Sequence, residues 1–360
     1  PASGMDRLRE QGMMPDKAPT GRETRRRPAE EDCMNRMAWG VRQERLSVSA
    51  ASDPLARNVA REAGIPYTPA ASMAANGMEL VYDAFGDLHA PPLLLIAGLA
   101  APMIGWDERF CAKLALRGYR VIRFDNRDTG LSSYCPRFGV PNIRDLYAAK
   151  DKGIPVAVPY TLGDMAEDAV GLLNGLGIES AHIVGTCTGG AVAQEMAIHW
   201  PRRLRTLTSI MSSTGDPGLP GPTPEAEAVF RAPMPMDRDG FCRAYAERWK
   251  VLRGPGFPKD EAADVERAQR VFARGCNPPG VSRQFAATIA SPGRGKALAN
   301  VRLPTLVIHG DADPLVPVQG GIATAKAVPG ATLRIVEGMG HALPMVMWPS
   351  IVEMITEHAR

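Results

Sequence analysis

Cysteine is scarce in this chain and shows no pairing pattern. Six occur in 360 residues: Cys33, Cys111, Cys135, Cys187, Cys242 and Cys276. There is no C-x-x-C pair and no histidine at zinc-ligand spacing, which argues against a disulfide scaffold and a structural metal site. A reducing cytoplasm is the expected compartment. Long apolar runs are also missing. The longest, Pro91 to Trp106, is interrupted by Gly98, Pro102 and Gly105 and is too short to span a bilayer. Arg25-Arg26-Arg27 evokes a twin-arginine export signal, but Pro28-Ala29-Glu30-Glu31-Asp32 follows where an apolar stretch is needed. Export is therefore not expected. Nor does one charge dominate: 42 basic and 39 acidic residues leave a net charge of +3, too little to attract nucleic acid or an acidic membrane. No internal repeat is present.

What is present suits a large globular protein. Hydrophobic residues make up 45% and charged residues 22%, enough apolar material for a sizeable core. Residues 1–72 stand apart, rich in Arg, Glu, Met, Ala and Pro, and read as an N-terminal extension. Either a loosely ordered arm or an arm packed on the core or on a neighbouring subunit fits that composition. One helix is expected within it, capped by Asp53, opened by Pro54 and stopped at Gly64.

From Met73 onward short apolar strands alternate with helices. Strands are expected at Met78–Tyr82, Pro92–Ala97, Tyr119–Phe124, Ala181–Val184, Leu204–Met211, Pro304–His309 and Thr332–Val336. Helices are expected near Phe110–Leu116, from Thr161 to about Leu176, at Gly189–His199, near Val318–Ala327, and from Pro349. This rhythm implies an α/β fold with a parallel sheet covered on both faces. Between about Ser213 and Asn300 the strands stop and the pattern is helical. The expected organisation is a core of residues 73–213 and 300–360, with residues 214–299 inserted as a helical cap.

Gly185-Thr186-Cys187-Thr188-Gly189 lies between a buried strand and a helix, with the spacing of a G-x-S-x-G nucleophile elbow and Cys in the Ser position. A sharp strand-to-helix turn strains the nucleophile, and side chains two positions either side of it would clash. The turn exposes Cys187 at the positive end of the following helix, and the N–H of Thr188 is placed to donate to an oxyanion. Asp313 lies just past the end of the strand Pro304–His309, where α/β sheets place working residues. Its rival Asp311 directly follows Gly310 and reads as support for the turn. His341 ends the Gly-rich Gly338-Met339-Gly340 loop after the next strand. The order nucleophile, acid, histidine is the one this fold uses. His89, His182, His199, His309 and His358 read as structural or solvated. For the second oxyanion donor, Gly98-Leu99-Ala100 after the strand ending at Ala97 points to the N–H of Leu99.

Together these residues resemble the α/β-hydrolase superfamily, and from residue 73 on the single-cap bacterial esterases related to aclacinomycin methylesterase. The resemblance is carried by Val121-Ile122-Arg123-Phe124-Asp125-Asn126-Arg127-Asp128-Thr129-Gly130-Leu131-Ser132, Tyr160-Thr161-Leu162-Gly163-Asp164-Met165-Ala166, His309-Gly310-Asp311-Ala312-Asp313 and Gly338-Met339-Gly340-His341-Ala342-Leu343-Pro344. It implies a mostly parallel eight-stranded sheet. Two departures stand out: such esterases usually carry Ser at the position of Cys187, and the His-Gly that often opens the oxyanion loop is here Ala97-Gly98.

The chemistry expected is hydrolysis of short to medium acyl esters through a Cys187–His341–Asp313 triad and a thioester acyl-enzyme. It needs no metal and no organic cofactor. An acyltransferase or lactone-processing enzyme using the same acyl-cysteine is the alternative. The partner expected is a small-molecule ester, with no nucleic acid and no membrane; homodimerisation is left open. Phe230, Phe241, Tyr245, Trp249 and Phe272 in the cap, with Trp106 near the oxyanion loop, suit either an apolar pocket or a cap core.

Overall fold

Asp53 opens the described part of the chain, residues 53–360 in this computed structural model; most of the expected extension, residues 1–52, lies outside the described residues. The Asp53 carboxylate accepts the N–H of Leu55 at 3.0 Å and caps α1 (Pro54–Glu62), with Gly64 at φ 65° just beyond its end. β1 (Tyr67–Ala75) follows, crossing the boundary expected after residue 72. Its alanines do not alternate with polar residues, and Pro69 argues against a central strand. β1 is tolerated because it is an edge strand, paired only with β2 (Met78–Phe85) and irregular in register between Thr68 and Ala71.

The remaining strands are β3 (Pro92–Ile96), β4 (Arg120–Phe124), β5 (Ala181–Thr186), β6 (Leu204–Ile210), β7 (Thr305–Gly310) and β8 (Thr332–Val336). They form one eight-stranded sheet in the order β1-β2-β4-β3-β5-β6-β7-β8. The pairings of β1 with β2 and of β2 with β4 are antiparallel; every later pairing is parallel. Between the chain's strands come α2 (Glu108–Ala115), α3 (Ile143–Asp151), α4 (Leu162–Gly175) and α5 (Thr188–His199). α3 carries no sequence signal of a core helix, since Leu146 is its one buried residue. β6 and β7 are neighbours in the sheet, yet the chain between them runs through α6 (Pro224–Arg231), α7 (Arg238–Leu252), α8 (Glu261–Arg274), α9 (Pro278–Ala290) and α10 (Gly295–Leu298). α11 (Gln319–Ala327) and α12 (Trp348–His358) complete the chain.

The central strands read as unbroken apolar runs because both faces are covered. Leu94, Ile96, Ile122 and Ile183 pack with Met165, Leu172, Val192 and Met196 of α4 and α5. Leu93, Leu95, Val121 and Val184 face the other way, onto Phe110 and Leu114 of α2 and Ile351 and Ile355 of α12. Each fully buried Leu or Ile contributes about 1.5–3 kcal/mol at most. The aromatics of the segment between β6 and β7 pack on one another: Phe241 lies 5.4 Å from Phe272 and 6.0 Å from Tyr245, and Tyr245 lies 5.9 Å from Trp249. Trp106 is buried against Phe110 at 5.7 Å. Among the described residues no helix is long and apolar enough to cross a membrane.

Candidate active site

The strand-to-helix turn after β5 takes its shape from close backbone packing. Cys187 stands between β5 and α5 at φ 52° and ψ −122°, a conformation that costs a non-glycine residue on the order of 1–3 kcal/mol. The surroundings enforce it. A side chain at Gly185 would meet the Gly189 carbonyl at 2.2 Å, and one at Gly189 would meet the Ile96 carbonyl at 2.2 Å. The Cys187 N–H donates to Ile210 O at 2.9 Å, while its carbonyl accepts from Gly190 at 3.0 Å and starts α5. The side chain is left half-buried above the C-terminal ends of β3 and β5.

Asp313 follows β7 in a turn that its own carboxylate organises: Oδ1 accepts from the N–H groups of Leu315 and Val316, both at 2.9 Å. The other oxygen, Oδ2, lies 2.8 Å from Nδ1 of His341. Asp311 instead accepts from Gly338 N at 2.7 Å and ties the turn after β7 to the loop after β8. Asp313 thus faces the histidine and Asp311 the loop's backbone. His341 is 5% exposed and faces the Cys187 thiol.

Electrostatics couple the three groups. Burial pushes the Cys187 thiol up, but the adjacent His341 outweighs it and, with the Thr188 N–H, holds the thiol below its ordinary range. Burial alone would lower His341; Asp313 and Cys187 overcome it and hold the imidazole well above its ordinary value. Asp313, pushed up by burial, is held lower still by His341, His309 and the Val316 amide. The arrangement favours a thiolate beside an imidazolium.

Gly98 packs against this thiol: a Cβ there would lie 3.2 Å from Cys187 Cβ. The next residue, Leu99, is half-buried, and its N–H makes no hydrogen bond among the described residues. The Thr188 hydroxyl oxygen lies 4.0 Å from the Cys187 sulfur, and the Thr188 backbone opens α5 beside it. The structure therefore brings Cys187, His341, Asp313, Leu99 and Thr188 to one end of the sheet. No group of three or more His, Cys, Asp or Glu side chains is set to hold a metal among the described residues.

Several supporting residues carried no usable signal. His309 lies within β7 rather than beginning a turn; it is fully buried, with Nε2 2.7 Å from Val316 O and 3.5 Å from Asp313 Oδ2. His358, read as solvated, is half-buried with Nε2 3.2 Å from Leu207 O. Leu252 at the end of α7 accepts the N–H of His341 at 2.6 Å, and Arg253 O accepts that of Gly340 at 3.0 Å. Side chains paired through space leave no mark in local spacing.

With this geometry in hand, comparison with known proteins places the chain. Residues 91–346 match the family described as alpha/beta hydrolase fold, and the chain belongs to that family. Rhodomycin D methylesterase from Streptomyces peucetius is 31% identical over 302 residues, covering 77% of this chain and 94% of that protein. 3-Oxoadipate enol-lactonase 2 from Acinetobacter baylyi is 26% identical over 269 residues, covering 74% of this chain and 88% of that one. Among solved structures, a hydrolase from Pseudomonas aeruginosa superposes with a TM-score of 0.59 at 25% identity, covering 81% of this chain and 97% of its own. The chain is an esterase-type hydrolase.

Proposed function

We propose that the protein hydrolyses short to medium acyl esters through Cys187, His341 and Asp313, by way of a thioester acyl-enzyme. The observation that carries this reading is the strained Cys187 at the start of α5, facing a histidine whose other nitrogen lies 2.8 Å from Asp313 Oδ2. In the first half-reaction the Cys187 thiolate attacks the acyl carbon, and the C=O electron pair moves onto oxygen. The N–H groups of Leu99 and Thr188 take up that charge. When the tetrahedral species collapses, the C–O bond to the alcohol breaks and the leaving oxygen takes the proton carried by His341. His341, neutral again, removes a proton from water, which attacks the thioester. Collapse releases the acid and returns the thiolate–imidazolium pair. Asp313 fixes the imidazole orientation and stabilises its charge throughout.

The restriction to shorter acyl chains follows from the proposed cap, the helical segment between β6 and β7 whose aromatics fill one another's space. A relative named as a methylesterase supports the ester reading. The enol-lactonase relative favours a second substrate class for the same acyl-cysteine, the cyclic esters. A reducing cytoplasm would keep Cys187 as a free thiol.

Intact-mass analysis after rapid mixing with p-nitrophenyl butyrate tests the reading. One butyryl adduct on Cys187, absent from Cys187→Ala, is expected. An adduct on another residue, or wild-type turnover in Cys187→Ala, overturns it. Equal rates on acetyl and palmitoyl esters would overturn the chain-length preference alone.

A further inference from the structure

The loop after β3 is tied down at both ends by the loop after β4. Asn126 Nδ2 donates to Ala97 O at 3.1 Å, and Asp125 Oδ1 accepts the N–H of Met103 at 2.7 Å. Between these anchors the chain makes a tight turn: Ala101 N–H donates to Gly98 O at 3.2 Å, and Ala100 sits at φ 58°. A positive φ at the third residue marks a type II turn, which selects glycine there. Alanine in that position costs about 1 kcal/mol or more and stays only if its neighbours hold it.

The hold comes from Gln284 on α9. Its Oε1 accepts the N–H of Ala100 at 2.9 Å, while Nε2 donates to Arg127 O and to Thr129 Oγ1, both at 2.7 Å. At 1% exposure Gln284 meets no competing water. Both ends of the amide are used, one as acceptor and one as double donor, so its orientation is fixed. Arg283 beside it is locked as well, with Nε and Nη2 on the two oxygens of Asp128 at 2.8 and 2.6 Å. Gln284 therefore has a rigid base from which to grip the turn.

We propose that Gln284 is a positioning residue for catalysis: by holding the Leu99–Ala100 peptide in its left-handed turn, it keeps the N–H of Leu99 aimed at the acyl oxygen. The inference rests on the reading of Leu99 as an oxyanion donor. If Ala100 is released, the turn relaxes toward negative φ by rotating the Leu99–Ala100 peptide, and the Leu99 amide shifts with it.

Two thiol reagents separate this role from a merely structural one. Butanal forms a C–S bond with the Cys187 thiolate, and its carbonyl electron pair moves to oxygen, giving an oxyanion that needs the hole. Iodoacetamide is attacked by the thiolate at a saturated carbon: the C–S bond forms as the C–I bond breaks, iodide leaves, and no oxyanion forms. In Gln284→Met, close in size but without the three hydrogen bonds, butanal inhibition should weaken and acylation should slow by about tenfold each, a fraction of what loss of a whole donor costs. Alkylation of Cys187 should stay within about twofold of wild type, because the thiolate is untouched. Adding Ala100→Gly should recover part of the loss, since glycine takes the positive φ without strain. Thr129→Val, which removes one of the donor-side bonds, should act in the same direction with smaller effect, and serves if Gln284→Met does not fold. Unchanged butanal affinity and acylation would overturn the proposal, as would alkylation falling in step with them. Wild-type enzyme that keeps turning over after Cys187 is alkylated would strike the triad reading instead.

Discussion

The amide of His341 donates to the carbonyl of Leu252 at 2.6 Å, so the histidine loop is built partly on the end of α7. The contact is continued by backbone on backbone. Gly256 N–H donates to Gly338 O at 3.0 Å, and a Cβ on Gly254 would lie 2.7 Å from Gly340 N. The segment between β6 and β7 thus supports the site from both sides, through this loop and through Gln284.

Gly340→Ala would place a methyl group 2.3 Å from the Arg253 carbonyl carbon and 2.4 Å from Leu252 O. Neither neighbour is a flexible side-chain end, so the loop must move and take His341 with it. Turnover should fall by more than about tenfold, with a stability loss of about 1–3 kcal/mol from overpacking. Steady-state kinetics alongside urea denaturation would show both; unchanged kinetics would mean that the loop does not position His341.

Alkylation should single out Cys187. Burial raises the thiols of Cys111, Cys135 and Cys276, that of Cys135 to about 12, while Cys187 is held below its ordinary range by His341 and the Thr188 amide. A depressed thiol keeps its thiolate below the usual pKa of about 8.5. Iodoacetamide at pH 7 should therefore modify Cys187 before those three, as peptide mapping would show, and His341→Gln should abolish the preference. Cys187→Ser reports on the site's adaptation. Hydrolysis retained or raised marks a site built around an alkoxide-type nucleophile, and a loss on the order of 10²-fold marks one adapted to the thiolate.

Asp313→Asn should leave the fold intact and lower turnover on the order of 10³- to 10⁴-fold by releasing the imidazole from its orientation. The pH dependence of stability has two limbs. Asp313 is depressed in the folded state, so its contribution is present above about pH 4 and is lost as pH falls through the lowered value. His341 is raised, so its contribution is complete below about pH 6.5 and is lost as pH climbs through the raised value. The stability gap between wild type and Asp313→Asn should be widest between those limits, as denaturation across a pH series would reveal.

Arg283→Met should destabilise the protein by about 3 kcal/mol or more, because it leaves the buried Asp128 carboxylate without its bidentate partner. Adding Asp128→Asn should recover part of that loss. Urea midpoints for the two variants would decide it, and a single variant as stable as wild type would show that the remaining donors, Tyr160 Oη, Cys135 N and Asn277 Nδ2, satisfy Asp128.

Much of the scaffold was legible because local chemistry repeats along the chain. β8 was read at Thr332–Val336 and lies there; Asp53, Pro54 and Gly64 marked α1, and Thr161 caps α4 through a reciprocal bond with Asp164. β1 was not legible, since an edge strand need not alternate and can carry Pro69. α3 was hidden for the related reason that its burial is slight.

By itself the sequence determined which residue types stand at the ends of the strands: a Gly-flanked Cys187 after β5, an acid turn with Asp313 after β7, and a Gly-rich loop ending in His341 after β8. Those are local facts, written in spacing that strand and turn geometry impose. Only the tertiary structure decided that Asp311 ties its turn to the Gly338 amide, that His309 backs the acid, and that Leu252 and Gln284 hold the loops on which His341 and Leu99 sit. Hydrogen bonds between residues 184 positions apart, such as Ala100 with Gln284, depend on how layers pack, and no local pattern along the chain encodes that distance.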